Sequence, residues 1–254
     1  MRRTLLISSL VALSGAVPAT VVADPPTGPP PPLSAALERC THSADAEERV
    51  TEFLGSMPAR AGASRMRMRF DLERRRPNKR PNKRRWRRVH GAAGFGTWER
   101  SLPSRAGFIF HKRVAGLQVP AGYRALVSFA WERSDGTVVQ RARRRTAGCW
   151  QPDLRPDLRP GTKLTGTLAA QPGLALYTLM VRNAGRSTAA PFSVRVGGGR
   201  AEVVSLAAGE QRSVVVLAPA CAAGSSVTAR VDEERRVDES HEDGNGVWLP
   251  CPLG

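Results

Sequence analysis

The chain has 254 residues, with 39 Lys plus Arg against 22 Asp plus Glu for a formal net charge of +17; 41% of its residues are hydrophobic and 24% charged. That is ordinary globular composition at a length of one or two domains, and it excludes wholesale disorder. Past the N-terminus the longest weakly polar run, SVVVLAPACAAG, falls well short of the ~20 residues of a spanning helix, which excludes a polytopic membrane protein.

The first element is a targeting segment. Arg2 and Arg3 form a positive n-region, Thr4 to Val17 an apolar h-region, and Val21-Val22-Ala23 places small residues before a cleavage point. Residues 1–23 therefore read as a signal peptide cleaved after Ala23, with an h-region too short for a membrane anchor. No Cys follows the cleavage point, which disfavours a lipoprotein. The expected location is secreted, extracellular or cell envelope. Residues 24–33, opening DPPTGPPPP, form a Pro-rich extended linker. Ser34 to Phe53 fits either a short helix or an edge strand.

Arg65 to Leu72, RMRMRFDL, sets Met66, Met68, Phe70 and Leu72 on one face and Arg65, Arg67, Arg69 and Asp71 on the other, a period-2 strand with one wet face. A basic loop follows: Arg74, Arg75, Arg76, Lys79, Arg80, Lys83, Arg84, Arg85, Arg87 and Arg88, with Trp86 among them. It reads as an exposed hairpin connection leading to a strand near Trp86. Clustered cations attract polyanions by counterion release, and a flanking aromatic can stack on a base or sugar. The same run also reads as a solvated loop of an Arg-rich chain, since the whole protein has 35 Arg to 4 Lys. Phe108 and Phe110 mark a further strand. Tyr123, Ala125, Val127, Phe129 and Trp131 alternate along another, Ser134-Asp135-Gly136 turns it, and Val138 begins the returning strand. Leu117, Pro120 and Tyr123 resemble the tyrosine corner of fibronectin-type and immunoglobulin-type sandwiches.

PDLRPDLRP at 152–160 carries three prolines in nine residues and interrupts the pattern, so the boundary falls at about 150. The expected organisation is a basic immunoglobulin/fibronectin-III-like domain over 34–150 and a second β-sandwich over 151–254. Residues 61–150 hold 23 basic and 5 acidic side chains, whereas 151–254 hold 11 of each, so the basic excess belongs to the first domain. In the second, Phe192/Val194/Val196 and Val227/Ala229/Val231 alternate, with turns at Asn183-Ala184-Gly185 and Gly197-Gly198-Gly199. Short alternating strands separated by Gly, Pro and Asn predict an all-β fold: two tandem antiparallel β-sandwiches of immunoglobulin-like type.

The second half resembles the CARDB family, bacterial immunoglobulin-like sandwiches named for a relation to cell adhesion. The resemblance runs from the PDL opening through Tyr177 to Gly185 (YTLMVRNAG), Ala189 to Val196 (AAPFSVRV) and Ser205 to Glu210 (SLAAGE). It closes on Val231-Asp232 and Val237 to Asn245 (VDESHEDGN), departing at Gly244, where the first of two Asn residues is expected. The resemblance implies a secreted or surface module with no catalytic residues to transfer. The first half looks like the sandwich that precedes such modules in exported actinobacterial proteins, on its Cys placement and its RMRMRFDL strand.

Cys40 and Cys149 fall within the first domain and Cys221 and Cys251 within the second. Pairing Cys40 with Cys149 and Cys221 with Cys251 closes each domain, as oxidising export allows. Asp232, Glu233, Glu234, Asp238, Glu239, Glu242 and Asp243 form an acidic run that reads as a solvated turn, or as a source of Ca²⁺ ligands without EF-hand spacing. His42, His90, His111 and His241 are scattered outside any metal-ligand spacing, and there is no G-x-S-x-G elbow. No catalytic residue, metal site or cofactor is assigned. The expected function is that of an exported, non-enzymatic interaction or structural protein, an adhesion-type module for a protein or glycan partner at the cell envelope. The alternatives are a polyanion-binding protein acting through 74–88 and an exported hydrolase with an unrecognised site.

Overall fold

The computed structural model describes residues 29–77 and 85–253. The segment expected to be a signal peptide, the start of the expected Pro-rich linker, and Lys79, Arg80, Lys83 and Arg84 of the basic loop lie outside these residues. The described chain is all-β, with one 3-10 turn at Glu242–Gly244 and no helix long and apolar enough to cross a membrane.

The first nine strands are β1 (Ser34–Thr41), β2 (Val50–Pro58), β3 (Arg65–Arg75), β4 (Arg87–Arg88), β5 (Trp98–Arg100), β6 (Gly107–Val114), β7 (Ala121–Glu132), β8 (Val138–Arg145) and β9 (Cys149–Gln151). They build two antiparallel sheets. One has the order β1-β2-β6; the other has the order β4-β3-β7-β8, with β5 joining β3 and β9 joining β7. The segment that fitted either a helix or an edge strand is two strands joined by a turn, with Ser34 opposite Ser56 and Thr41 opposite Val50. Its apolar side chains Ala35, Leu37 and Phe53 reach the core only from an extended backbone.

The core between these sheets follows the period-2 reading. Met66, Met68, Phe70 and Leu72 of β3 and Tyr123, Ala125, Val127, Phe129 and Trp131 of β7 are all buried against Phe53 and Met57 of β2. Gly55 marks the closest approach, since a Cβ there would lie 2.2 Å from the Met68 sulfur. Trp131 satisfies its indole N–H on the carbonyl of Pro58 at 2.8 Å, as a buried indole must. Tyr123 donates its hydroxyl to the carbonyl of Gln118 at 2.8 Å, with Leu117 buried beside it, the geometry of a tyrosine corner. Burial raises the Tyr123 pKa despite the nearby Arg74 and the Gln118 bond.

The remaining strands are β10 (Leu158–Leu168), β11 (Leu174–Asn183), β12 (Phe192–Val196), β13 (Gly199–Val203), β14 (Gln211–Pro219), β15 (Ser226–Val231) and β16 (Gly246–Pro250). Sheet β10-β11-β14 packs on sheet β13-β12-β15-β16. Tyr177, Leu179, Val181, Phe192, Val194, Val196, Val216, Ala229 and Val231 fill the space between them. Tyr177 closes the far end, donating its hydroxyl to Pro219 at 3.1 Å and accepting the Cys221 N–H at 2.8 Å. Disulfides join Cys40 to Cys149, with Cα atoms 5.6 Å apart, and Cys221 to Cys251, with Cα atoms 5.9 Å apart.

Candidate functional site

The basic segment is partly bound into the first sandwich. β4 pairs Arg87 and Arg88 with Arg74 and Glu73 of β3. Arg74 hydrogen-bonds the Gln118 side chain, and Arg88 hydrogen-bonds Asp71, which also accepts from Arg69 at 3.0 Å. Trp86 is no open stacking platform: the guanidiniums of Arg124 and Arg75 lie 4.3 Å and 4.9 Å from its ring centroid. Its indole edge also covers the backbone at Gly122 and Gly148, where an added Cβ would touch it. Arg76 and Arg85 flank the undescribed residues and are exposed.

Between the two sandwiches lies a cleft of about 590 Å³. Val119, Pro120, Trp150 and Pro152 make its apolar wall; Arg155, Asp157, Arg186, Ser240 and His241 make its polar wall. Trp150 is 44% exposed. A concave site at a junction of sandwiches, with one aromatic wall and a few converging polar groups, has the form of a ligand site. Its geometry is fixed by ion pairs. Arg155 grips Asp153 through two N–H groups at 3.0 and 2.9 Å and donates to Asp238 at 2.7 Å. Asp238 also lies 3.5 Å from the guanidinium of Arg49, a buried side chain at the head of β2. Burial pushes the Asp153 pKa up, but hydrogen bonds from Arg155 and the charges of Arg155 and Arg49 outweigh it and leave the group below its usual range. Arg155 is correspondingly held more firmly protonated, chiefly by its hydrogen bond to Asp153.

Ser240, His241 and Asp157 meet in this cleft. Ser240 Oγ is 3.2 Å from His241 Nδ1, and Asp157 Oδ2 is 3.5 Å from that same nitrogen. A proton relay uses the two ring nitrogens separately, one for the nucleophile and one for the acid, so this trio is not arranged as one. The other histidines lie apart: His111 contacts Glu38 at 2.7 Å, His90 is exposed, and His42 sits 3.3 Å from the Cys40 sulfur. Cys40, His42 and Cys149 are close enough to share an ion, but both sulfurs are in the disulfide and supply no thiolate.

The acidic run is distributed rather than convergent. Asp232 caps a turn by accepting the N–H groups of Arg236 at 3.1 Å and Val237 at 2.9 Å. Glu233 pairs with Arg195 and Glu234 with Arg200, each at 2.8 Å. Glu242 accepts the Glu239 N–H at 3.2 Å, and Asp243 is exposed. Glu239 is buried, accepting the Leu158 N–H on one oxygen and the Asn245 amide at 2.7 Å on the other. Burial is the main cause of its pKa being raised to about 7, reinforced by Glu242 and Asp232 against the two hydrogen bonds. Asn183, also buried, uses its whole amide. It donates to Ser187 and Leu206 carbonyls at 2.8 and 2.9 Å and accepts the N–H groups of Asp157 and Gly185 at 3.1 and 3.0 Å. Gly185 must be Gly, because a Cβ would lie 2.5 Å from the backbone of Arg155 and Asp157.

These buried polar positions fall in the segments whose order and spacing resembled one family. Residues 155–247 match CARDB. The matched segment opens at Arg155, just before the second PDLR copy, and takes in the Asp157–Asn183 contact and the Asp232, Glu239 and Asn245 positions. A comparison with curated proteins gives no match. Among solved structures, the chain is similar at low level to a chaperone–tip adhesin complex of CFA/I fimbriae biogenesis, at 10% identity over 85% of this chain and 98% of that one, TM-score 0.29. The class 5 fimbriae chaperone CfaA matches at 10% identity with the same coverages, TM-score 0.25. The CsuC–CsuE pre-assembly complex from Csu pili of Acinetobacter baumannii matches at 9% identity over 85% and 98%, TM-score 0.28. Scores of this size carry no consequence for function.

Proposed function

We propose that the chain is an exported, non-enzymatic binding module of adhesion type, working outside the cell or at its envelope on a protein or glycan partner. The observation that carries this reading is the CARDB match over 155–247, a cell-adhesion-related sandwich, joined through a fixed junction to a second disulfide-closed sandwich. The cleft between them is the proposed contact, with Trp150 offering an apolar face to a sugar ring or peptide side chain and Arg186 a charge beside it. The test is a glycan array and an envelope-fraction pull-down with the mature protein, the Trp150→Ala/Arg186→Ala variant and a form lacking 77–85. A partner held by the wild type and by the loop-deleted form but lost by the cleft variant supports the reading. Equal capture by the cleft variant removes the cleft from it.

The second reading, polyanion binding, is favoured by a specific observation: exposed arginines of the first sandwich outnumber the carboxylates able to neutralise them. It predicts retention on heparin that weakens steeply as salt is raised.

A further inference from the structure

The geometry points to the outer face of sheet β4-β3-β7-β8, rather than the 74–88 loop, as a binding site for a linear polymer bearing phosphate or sulfate esters. This inference rests on the polyanion reading and locates its site.

The register of the sheet decides which side chains share that face. Opposite residues of an antiparallel pair point the same way, and β3 and β7 turn their apolar residues inward. The outward set is therefore Arg67, Arg69, Asp71 and Glu73 of β3, Leu126, Ser128 and Ala130 of β7, and Arg141, Arg143 and Arg145 of β8. Arg67 and Arg69 face the β8 arginines across Ala130 and Ser128, and farther along β3 the carboxylates Asp71 and Glu73 are ion-paired to Arg69, Arg88 and Arg124. Between the β3 and β8 rows is a depression of about 330 Å³ floored by Leu126 and Ser128. Strands ~4.8 Å apart make this trough roughly two strand spacings wide, and outward residues recur every ~6.8 Å along it. One extended chain fits such a trough, and its anionic groups meet the β8 arginines along one side and Arg67 and Arg69 on the other.

The two rows differ in how they are neutralised. Arg67 is 2.7 Å from Glu132, and Arg69 shares Asp71 with Arg88. Arg141, Arg143 and Arg145 are exposed and have no carboxylate within 4 Å among the described residues. Charge on an edge strand guards it against pairing with other chains, whichever way the charge points. That role does not call for three cations in line on one face, beside a second row that holds its guanidiniums in place.

The aromatic residues select the class of polymer. Single-stranded nucleic acid is gripped by rings on which bases stack. The rings beside this trough are already covered: Arg67 lies 4.8 Å from the Trp98 centroid, and Trp86 carries Arg75 and Arg124, while the exposed Trp150 lines the cleft between the sandwiches and not the trough. What remains is a track of donors for tetrahedral oxyanions, which suits an anionic glycan or polyol phosphate.

The experiment measures binding of the mature protein to heparin, to a poly(glycerol phosphate) and to oligo-deoxythymidine across a salt series. It compares the wild type with Arg141→Gln/Arg143→Gln/Arg145→Gln and with Lys79→Gln/Arg80→Gln/Lys83→Gln/Arg84→Gln. Heparin and the glycerol polymer separate sulfate from phosphate as the preferred ester. Losing three contacts should weaken binding on the order of 100-fold near 0.1 M salt and lower the slope of log K against log salt by about 2 to 3. The loop variant should keep most of the affinity. Should the triple variant fail to fold by circular dichroism, Arg143→Gln alone should weaken binding roughly fivefold. Loss in the loop variant with retention in the triple variant overturns this site and leaves the polyanion reading standing. Tighter binding of oligo-deoxythymidine than of either other polymer overturns the ligand class. Absence of salt-dependent binding to all three removes the polyanion reading and this site with it.

Discussion

Arg155 donates a hydrogen bond to Asp238 at 2.7 Å across 83 positions of sequence, and the same carboxylate lies 3.5 Å from Arg49, 189 positions away. One exposed aspartate thereby ties the connecting segment to both sandwiches. Asp238→Ala should loosen that tie. Arg49 loses its only carboxylate within 4 Å among the described residues. Small-angle scattering should show a larger and broader distribution of dimensions, and a protease of broad specificity should nick the connecting segment sooner. Unchanged scattering and proteolysis would show that this aspartate does not set the rigidity of the junction.

Glu239 makes stability depend on pH. Its folded pKa of about 7 stands above the ordinary carboxylate value of 4.5, so ionisation is disfavoured by folding. The contribution is fully present below the unfolded pKa and is lost as pH rises through the folded one. Wild-type melting temperature should therefore fall between about pH 5 and about pH 8 by an amount that Glu239→Gln abolishes. The Gln side chain can keep an acceptor on Leu158, and a rotated Asn245 amide can present to it the oxygen that is otherwise buried without a partner. Glu239→Ala leaves the Leu158 N–H unpaired and should cost about 1–3 kcal/mol below pH 7.

Asn183→Ala should be among the most damaging single changes in the second sandwich. It strips the partners of the Asp157 and Gly185 N–H groups and the Ser187 carbonyl, and leaves the Leu206 carbonyl with only the Ala189 N–H. Several buried groups left unpaired imply a loss of about 3–5 kcal/mol, measured by urea denaturation. A loss below about 1 kcal/mol would mean that water enters the turn and replaces the amide.

The two disulfides should contribute unequally. Their sequence separations are 109 and 30, for which chain entropy gives about 5 kcal/mol and about 3.5 kcal/mol as upper values. Paired Cys→Ser variants, unfolded with denaturant, should lose more at Cys40/Cys149 than at Cys221/Cys251. The reverse order would show that the reduced first sandwich keeps structure when unfolded.

The parts of the fold legible in sequence are those with local periodicity. RMRMRFDL and Tyr123 to Trp131 announce their inward faces because strand alternation is written residue by residue. The segment from Ser34 to Phe53 was ambiguous, since a register shift between Leu37 and Arg39 breaks its alternation. The candidate surfaces were less legible. A run of charge such as 74–88 is conspicuous in one dimension, whereas Arg141, Arg143 and Arg145 join Arg67 and Arg69 only through the pairing of β3 with β7 and β7 with β8. RARRR beside a hairpin turn was the available signal for that face. The cleft had none, because Trp150 comes from the short strand β9 and Arg186 and His241 from two separate connections.

In the tandem PDLRPDLR, each copy closes its own pair: Asp153 with Arg155 at 2.9 Å and Asp157 with Arg159 at 2.6 Å. A unit that neutralises itself can be copied without stranding a charge. Each copy lengthens the connection by up to ~13 Å of extended chain. The repeat is in effect a ruler graduated in whole units, and the second sandwich reads it at one mark, where Asp157 meets Asn183 and Leu158 meets Glu239. A third copy would leave that mark intact and set the cleft to a different width.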